Sequence, residues 1–380
     1  MFTLRPRVML VIIAIMSMYV GICHSGVILI TYFEAYAVFA PFQARCISAQ
    51  TADRENNRWL VGTLSLRYEN EVHVLQLGEN SSELVCQGLY THRDEIWDIA
   101  ACPFNTSLFS TVYSRAGETG TAVWKIPESR GNKSVVLPVE VAASLSSVPQ
   151  QWKCTLWWPS GQHPQVASIG TEKIVLWNVE FPQNMSQASA GGSNHLEVGS
   201  WDPHDFNNIA TASEGSIQCW DLRTMSSSTK IDQAHVLQTR HIDFNPQKKH
   251  LIATAGDDSW IRIWDLRKPS SPLHNLLGHH HWTVRVKYNP KYEELILSSG
   301  TDAVVNLWRV IDGSLTKSPS GLPRGLEDSL LRSYTEHEDS VYGIAWSALD
   351  PWVFASVDYD GRVMVGSVPM STRKKLKGKM

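Results

Sequence analysis

The chain has 380 residues and a formal charge of −3. No basic field is there to hold a nucleic-acid backbone. By length alone it would hold two domains, but a single ring of repeats uses about 300 residues and fits better. Six cysteines stand singly at Cys23, Cys46, Cys86, Cys102, Cys154 and Cys219 with no CxxC pair. That spacing indicates neither a disulfide framework nor a metal site, and buried reduced thiols are expected.

The chain opens on an apolar stretch. From Val8 to Phe33 there is no Asp, Glu, Lys or Arg, with Arg5 and Arg7 before it and Glu34 after, and that is long enough to span a bilayer. Residues 1–40 read as a signal anchor or signal peptide, or as an atypical start to a chain whose folded part is residues 41–369. A genuine anchor, oriented with its positive end inside, would put the folded part on the lumenal side. The sequons headed by Asn80, Asn105, Asn132 and Asn184 would then be open to glycosylation.

After residue 41 one pattern recurs: a short apolar strand, a tight polar turn, a second strand and a closing aromatic. In chain order the copies are LVGTLSLRYENEVHVLQL with Leu75 in the closing place, FSTVYSRAGETGTAVWKI with Trp124, and VASIGTEKIVLWNV with Trp177. IATASEGSIQCWDLR follows with Trp220-Asp221, then IATAGDDSWIRIWDLR with Trp264-Asp265, ILSSGTDAVVNLWRV with Trp308, and FASVDYDGRVMVGSV with Gly366. Trp220 to Trp264 and Trp264 to Trp308 are each a step of 44 residues, the repeat of a four-stranded propeller blade. Two strands cannot bury such faces alone; seven copies closed into a ring can.

The first blade begins with Phe42–Ser48, and the Gly- and Ser-rich Ser114–Thr121 reads as a long loop. Pro127–Ser147 and Met185–Ser193 read as solvated inter-blade loops, and Ile311–Leu331 as an insert between the sixth and seventh blades. Little apolar pattern follows Val368, so the outer strand of the last blade is expected from Tyr36–Phe39, joining both chain ends. Residues 370–380 form a basic tail, TRKKLKGKM at its end, of the kind that is solvated or drawn to anionic headgroups.

These residues resemble the WD-repeat β-propellers. His92, His235, His279 and His337 open blades, and in that family a His, a Ser or Thr, an Asp and a Trp of one blade form a hydrogen-bonded network. The matching places are His235, Thr254, Asp258 and Trp264, while Asp302 and Asp360 stand six residues before their blade's Trp position as Asp258 does. The segments FQARCISAQTAD, EIWDIAACP, LWWPSG, AHVLQTRHIDFNP, HWTVRVKYNP and YTEHEDSVYGIAWSALDPWVFASVDYDGRV further resemble the EARP- and GARP-interacting protein family. That resemblance covers about Phe42 to Val368. It implies a cytosolic, non-enzymatic propeller that binds the endosome-associated recycling and Golgi-associated retrograde tethering complexes at endosomes and the trans-Golgi network.

No cofactor is implied. HExxH, GxSxG and Walker-type loops are absent from the sequence, and His279-His280-His281 on an extended segment would point in opposite directions, unlike converging metal ligands. A protein-binding rim fits better than a small-molecule site. Aligned by their first strands, the blades place Trp97, Arg240, Val284 and Tyr342 at one equivalent position near the top of the central channel, with Trp152 and Trp282 just before it. Trp, Tyr and Arg are the side chains most enriched at interface hot spots. A second reading comes from Trp220-Asp221-Leu222-Arg223 and Trp264-Asp265-Leu266-Arg267. Both resemble the WDxR box through which some propellers dock on the DDB1 adaptor of cullin-4 ubiquitin ligases, with Arg223 and Arg267 as contacts.

Overall fold

In the computed structural model, residues 43–378 are described except 67–68, 79–82, 128–135, 146–149, 160–163, 181–184, 190–194 and 312–329. Ahead of residue 43 only the short strands Met18–Tyr19, Ile30–Thr31 and Ala35–Val38 are described. Residues 312–329 of the insert and the sequons at Asn80, Asn132 and Asn184 lie outside that set, while Leu330 and Leu331, read as the insert's end, begin blade 6's outer strand Leu330–Tyr334. Among the described residues no helix is long and apolar enough to cross a membrane.

The strands form seven blades of four antiparallel strands around a channel, and blade 1 carries a fifth, Leu137–Pro138, paired parallel to Tyr90–Thr91. Blade 5 shows the plan: Thr239–Phe244 innermost, then Leu251–Gly256, Trp260–Asp265 and the outer His274–Leu277. Its second strand is buried at every position, a continuous apolar run between neighbouring blades rather than an alternating one. Trp264 packs with Ile252, Phe244 and the preceding blade's Ala210, Ala212 and Ile217. The core is thus a set of inter-blade layers, and no blade is buried without its neighbours.

Ring closure follows the expected device. Ala35–Val38 pairs antiparallel with Arg362–Val365, in the register Ala35 to Val365 and Val38 to Arg362. The ring therefore begins inside the stretch assigned to the leading segment, ahead of residue 41. Blade 7 has no closing Trp because its space is taken: a Cβ on Gly366 would meet the buried Phe354 ring at 2.4 Å.

Three loop expectations are corrected. Ser114–Thr121 is mostly strand, turned by two residues with positive φ, Ala116 at 51° and Gly117 at 89°, the geometry of a type I′ hairpin. Pro127–Ser147 contains blade 2's outer strand, Glu140–Ser144, and Met185–Ser189 is the outer strand of blade 3. Edge strands carry weak apolar alternation, so composition alone resembles a loop. The basic tail is likewise structured: Met370–Lys377 is a helix that buries Thr372 and Leu376, with Arg373 Nε donating to the Val368 carbonyl at 2.6 Å.

Candidate interaction surface at the channel mouth

At one end of the ring, every innermost strand is broken by a bulge one or two residues in. The ladder skips Arg45, Trp97, Lys153, Glu197, Arg240, Val284 and Tyr342 in blades 1 to 7. A bulge frees one residue from pairing and re-aims its side chain. Seven at one level turn seven side chains toward the mouth, around a cavity of about 530 Å³. That volume is in the range of a ligand or peptide pocket. Below it lies the channel, about 380 Å³, lined among others by Asp98, His241, Asp243, Arg285 and Lys287.

The charges of the mouth are mostly cancelled by local pairs. Lys153 Nζ meets Glu197 at 3.0 Å, and Arg240 grips Asp257 with two bonds of 2.6 and 2.7 Å. Arg285 Nε donates to the Tyr342 carbonyl at 3.1 Å and its guanidinium stands 4.0 Å from Asp98. Burial raises the Asp98 carboxyl above the usual range, with Arg285 opposing. Arg45 is different: it is stacked between Trp97 and Tyr342, 4.9 and 4.3 Å from their ring centres. Arg240 also lies over Trp282 at 5.3 Å.

The rim residues singled out from sequence, Trp97, Trp152, Arg240, Trp282 and Tyr342, all border the mouth cavity, and Trp97 and Trp282 are 41% and 42% exposed. Trp152 is the most buried of the five. It stands one place before the bulge, where Ile96, Thr239 and Val341 stand in other blades, and it is 3% exposed within the inter-blade core. One residue along a strand reverses the side chain, so the mouth position of blade 3 is Lys153. Arg45, Lys153 and Glu197 were not reached by sequence reasoning. Their usable signal is a fully buried residue immediately before the bulge: Ala44, Trp152 and Leu196.

The structural network lies outside the mouth. His235 bonds Asp258 at 2.8 Å through Nδ1 and Thr254 at 2.8 Å through Nε2, and Trp264 Nε1 donates to Thr254 at 3.2 Å. Blade 6 repeats it with His279, Asp302, Ser298 and Trp308. In blade 7 the acid is Asp358, 2.9 Å from His337, and Asp360 is exposed. Counting back from Gly366 misplaces the acid by two residues, because in blade 7 it stands at the end of the second strand, Val353–Asp358, where blade 5 has Gly256, and not in the turn. The five described cysteines are unpaired, and burial pushes the Cys46 and Cys154 thiols up to about 12. Among the described residues no group of three His, Cys, Asp or Glu side chains gathers as a metal site requires.

Arg223 and Arg267 are at the other end of the ring, since they follow Trp220 and Trp264 at the far end of the strands from the bulges. Each is folded onto the Asp of its own motif, Arg223 on Asp221 and Arg267 on Asp265, both at 2.8 Å.

The fold and its mouth define the class: a seven-bladed WD-repeat propeller with an aromatic and arginine-lined opening. A profile described as the EIPR1 beta-propeller matches residues 35–308, and one described as the WD domain, G-beta repeat matches residues 328–365. The chain belongs to the EIPR1 beta-propeller family. Among its relatives, the WD repeat-containing protein DWA2 of Arabidopsis thaliana is 47% identical over 86% of this chain and 94% of that protein. The EARP and GARP complex-interacting protein 1 of Homo sapiens is 32% identical over 87% and 96%, and the EARP-interacting protein homolog of Dictyostelium discoideum 39% over 86% and 93%.

Proposed function

We propose that this protein is a non-enzymatic adaptor that binds the EARP and GARP tethering complexes in endosomal recycling and retrograde transport, as a cytosolic protein at endosomes and the trans-Golgi network. The observation that carries the reading is the mouth. The bulges deliver a tryptophan, a tyrosine and two arginines, Trp97, Tyr342, Arg45 and Arg240, to one opening that Trp282 also lines, and such anchors give binding energy at low cost in side-chain entropy. The relatives' names supply the partner, EARP and GARP. A rigid ring carries no chemistry of its own, so function resides in a site of this kind. Affinity purification of the full chain, with mass spectrometry of what it retains, should recover EARP or GARP subunits; recovery of neither sinks the reading.

A second reading follows from the opposite face, where Arg223 and Arg267 expose 69% and 65% of their side chains in adjacent blades, each held in one orientation by its own Asp. A DDB1-type ligase adaptor would dock there. Arg223→Glu with Arg267→Glu should abolish DDB1 capture and leave tether capture intact; no DDB1 capture by the unaltered chain ends this reading.

A further inference from the structure

Arg45 is the charge in the mouth that its surroundings do not answer. Lys153, Arg240 and Arg285 each have a carboxylate at 4.0 Å or less, whereas no nitrogen of the Arg45 guanidinium donates to a described residue. The rings of Trp97 and Tyr342 flank the guanidinium at 4.9 and 4.3 Å, while its N–H donors have no acceptor among the described residues. Burial lowers its pKa from the ordinary arginine value; Tyr342 opposes that, and Arg285 nearby adds to it. A half-buried cation without a counter-ion is costly until an anion is seated on it. The aromatic walls fix the plane of the fork before any ligand arrives, so the rotamer cost of binding is already met.

We propose that the mouth seats one carboxylate of an acidic peptide segment, an Asp or Glu side chain of the partner, bidentate on Arg45 between Trp97 and Tyr342. A monoanion fits better than a phosphate. Only one guanidinium is open, and the neighbouring Arg285 is already engaged by the Tyr342 carbonyl and Asp98. The surrounding opening, about 530 Å³, admits a few residues on either side of the acid. Trp282, 42% exposed, offers them an apolar wall. The inference deepens the adaptor reading by stating what the partner presents, and rests on it only for the partner's identity.

The test uses the full chain and its Arg45→Gln and Arg45→Lys variants, immobilised after a thermal melt has shown each to be folded. A library of random displayed dodecapeptides is selected on the unaltered chain in competition with soluble Arg45→Gln. Recovered peptides are resynthesised with each Asp or Glu replaced by its amide. They are expected to share one acid whose amide binds about tenfold more weakly or worse. On Arg45→Gln acid and amide should bind alike, and on Arg45→Lys, which keeps the charge and loses the fork, the discrimination should be partial. If Arg45→Gln does not fold, the Arg45→Lys comparison carries the test alone. Acid-free peptides, an equal acid-to-amide loss on Arg45→Gln, or no binder at all would overturn the site. Purified EARP is then applied to the same surfaces. Acid-selective peptides without EARP binding would sink the adaptor reading and leave the carboxylate seat. EARP binding indifferent to Arg45, with no acid preference among peptides, would do the reverse.

Discussion

Single side chains decide two things in this ring: how each blade is locked, and how the lock responds to acid. Burial alone would raise the Asp258 carboxyl, but its bonds to His235 and Arg262 outweigh that and hold it well below the usual carboxylate range. Asp302 is held low in the same way by His279. Such a carboxylate contributes stability above its unfolded value, 3.8, that is lost only as pH falls through the depressed one. His92 and His241 set a second, nearer window. Burial depresses both below 6.5, so they stay neutral in the fold while the unfolded chain takes up protons. Their contribution is complete above pH 6.5 and declines below it, by at most ~1.4 kcal/mol per pH unit for each histidine. Melting temperatures should be level from pH 7 to 8 and fall toward pH 5.5, with a shallower fall in His241→Gln. The lock itself distinguishes two neighbouring acids. Asp358→Asn, at the buried bond to His337, should cost roughly 2 kcal/mol in urea denaturation, whereas the exposed Asp360→Asn should leave the midpoint unchanged.

At the scale of strands, the sequence was legible wherever a period repeats and obscure wherever an edge or an irregularity intervenes. The closing tryptophans, the 44-residue step and the terminal strand at Tyr36–Phe39 were readable, because buried second and third strands demand a fixed apolar register. The outer strands Glu140–Ser144 and Met185–Ser189 were not, since an edge strand has one partner and tolerates nearly any composition. The bulges were hardest. Trp97, Arg240, Val284 and Tyr342 were reached by aligning first strands, and all four are bulge residues, but Arg45, Lys153 and Glu197 of blades 1, 3 and 4 were not. Strand pairing also makes a prediction about the leading segment. A chain beginning at Phe42 lacks Ala35–Val38 and leaves Arg362–Ser367 as an open edge. It should lose ~3 kcal/mol, about one per ladder bond, and melt well below a chain beginning at Glu34, which should match the full chain.

For the whole molecule, the ring holds its two faces apart. The mouth is built from the starts of the inner strands, and the WD-Arg motifs and the C-terminal helix are at the far ends of the strands. Changes on one face should therefore leave binding at the other intact. Trp97→Ala with Trp282→Ala removes two side chains that are 41% and 42% exposed, so the fold should lose no more than about 1 kcal/mol. Tether affinity, measured by interferometry with purified EARP, should fall at least about tenfold. Arg223→Glu with Arg267→Glu should leave that affinity alone.

The pairing of Ala35–Val38 with Arg362–Val365 also dictates an order of events during synthesis. The strand that finishes the last blade is among the first parts of the ring to leave the ribosome, and its partner is among the last. Blades 1 to 6 can stack as they emerge, each on its predecessor, but the first strand must wait unpaired through nearly the whole of translation. Throughout that interval both flanks of the growing arc are open to other chains, so a nascent copy stalled short of Arg362 is the form most in need of a chaperone.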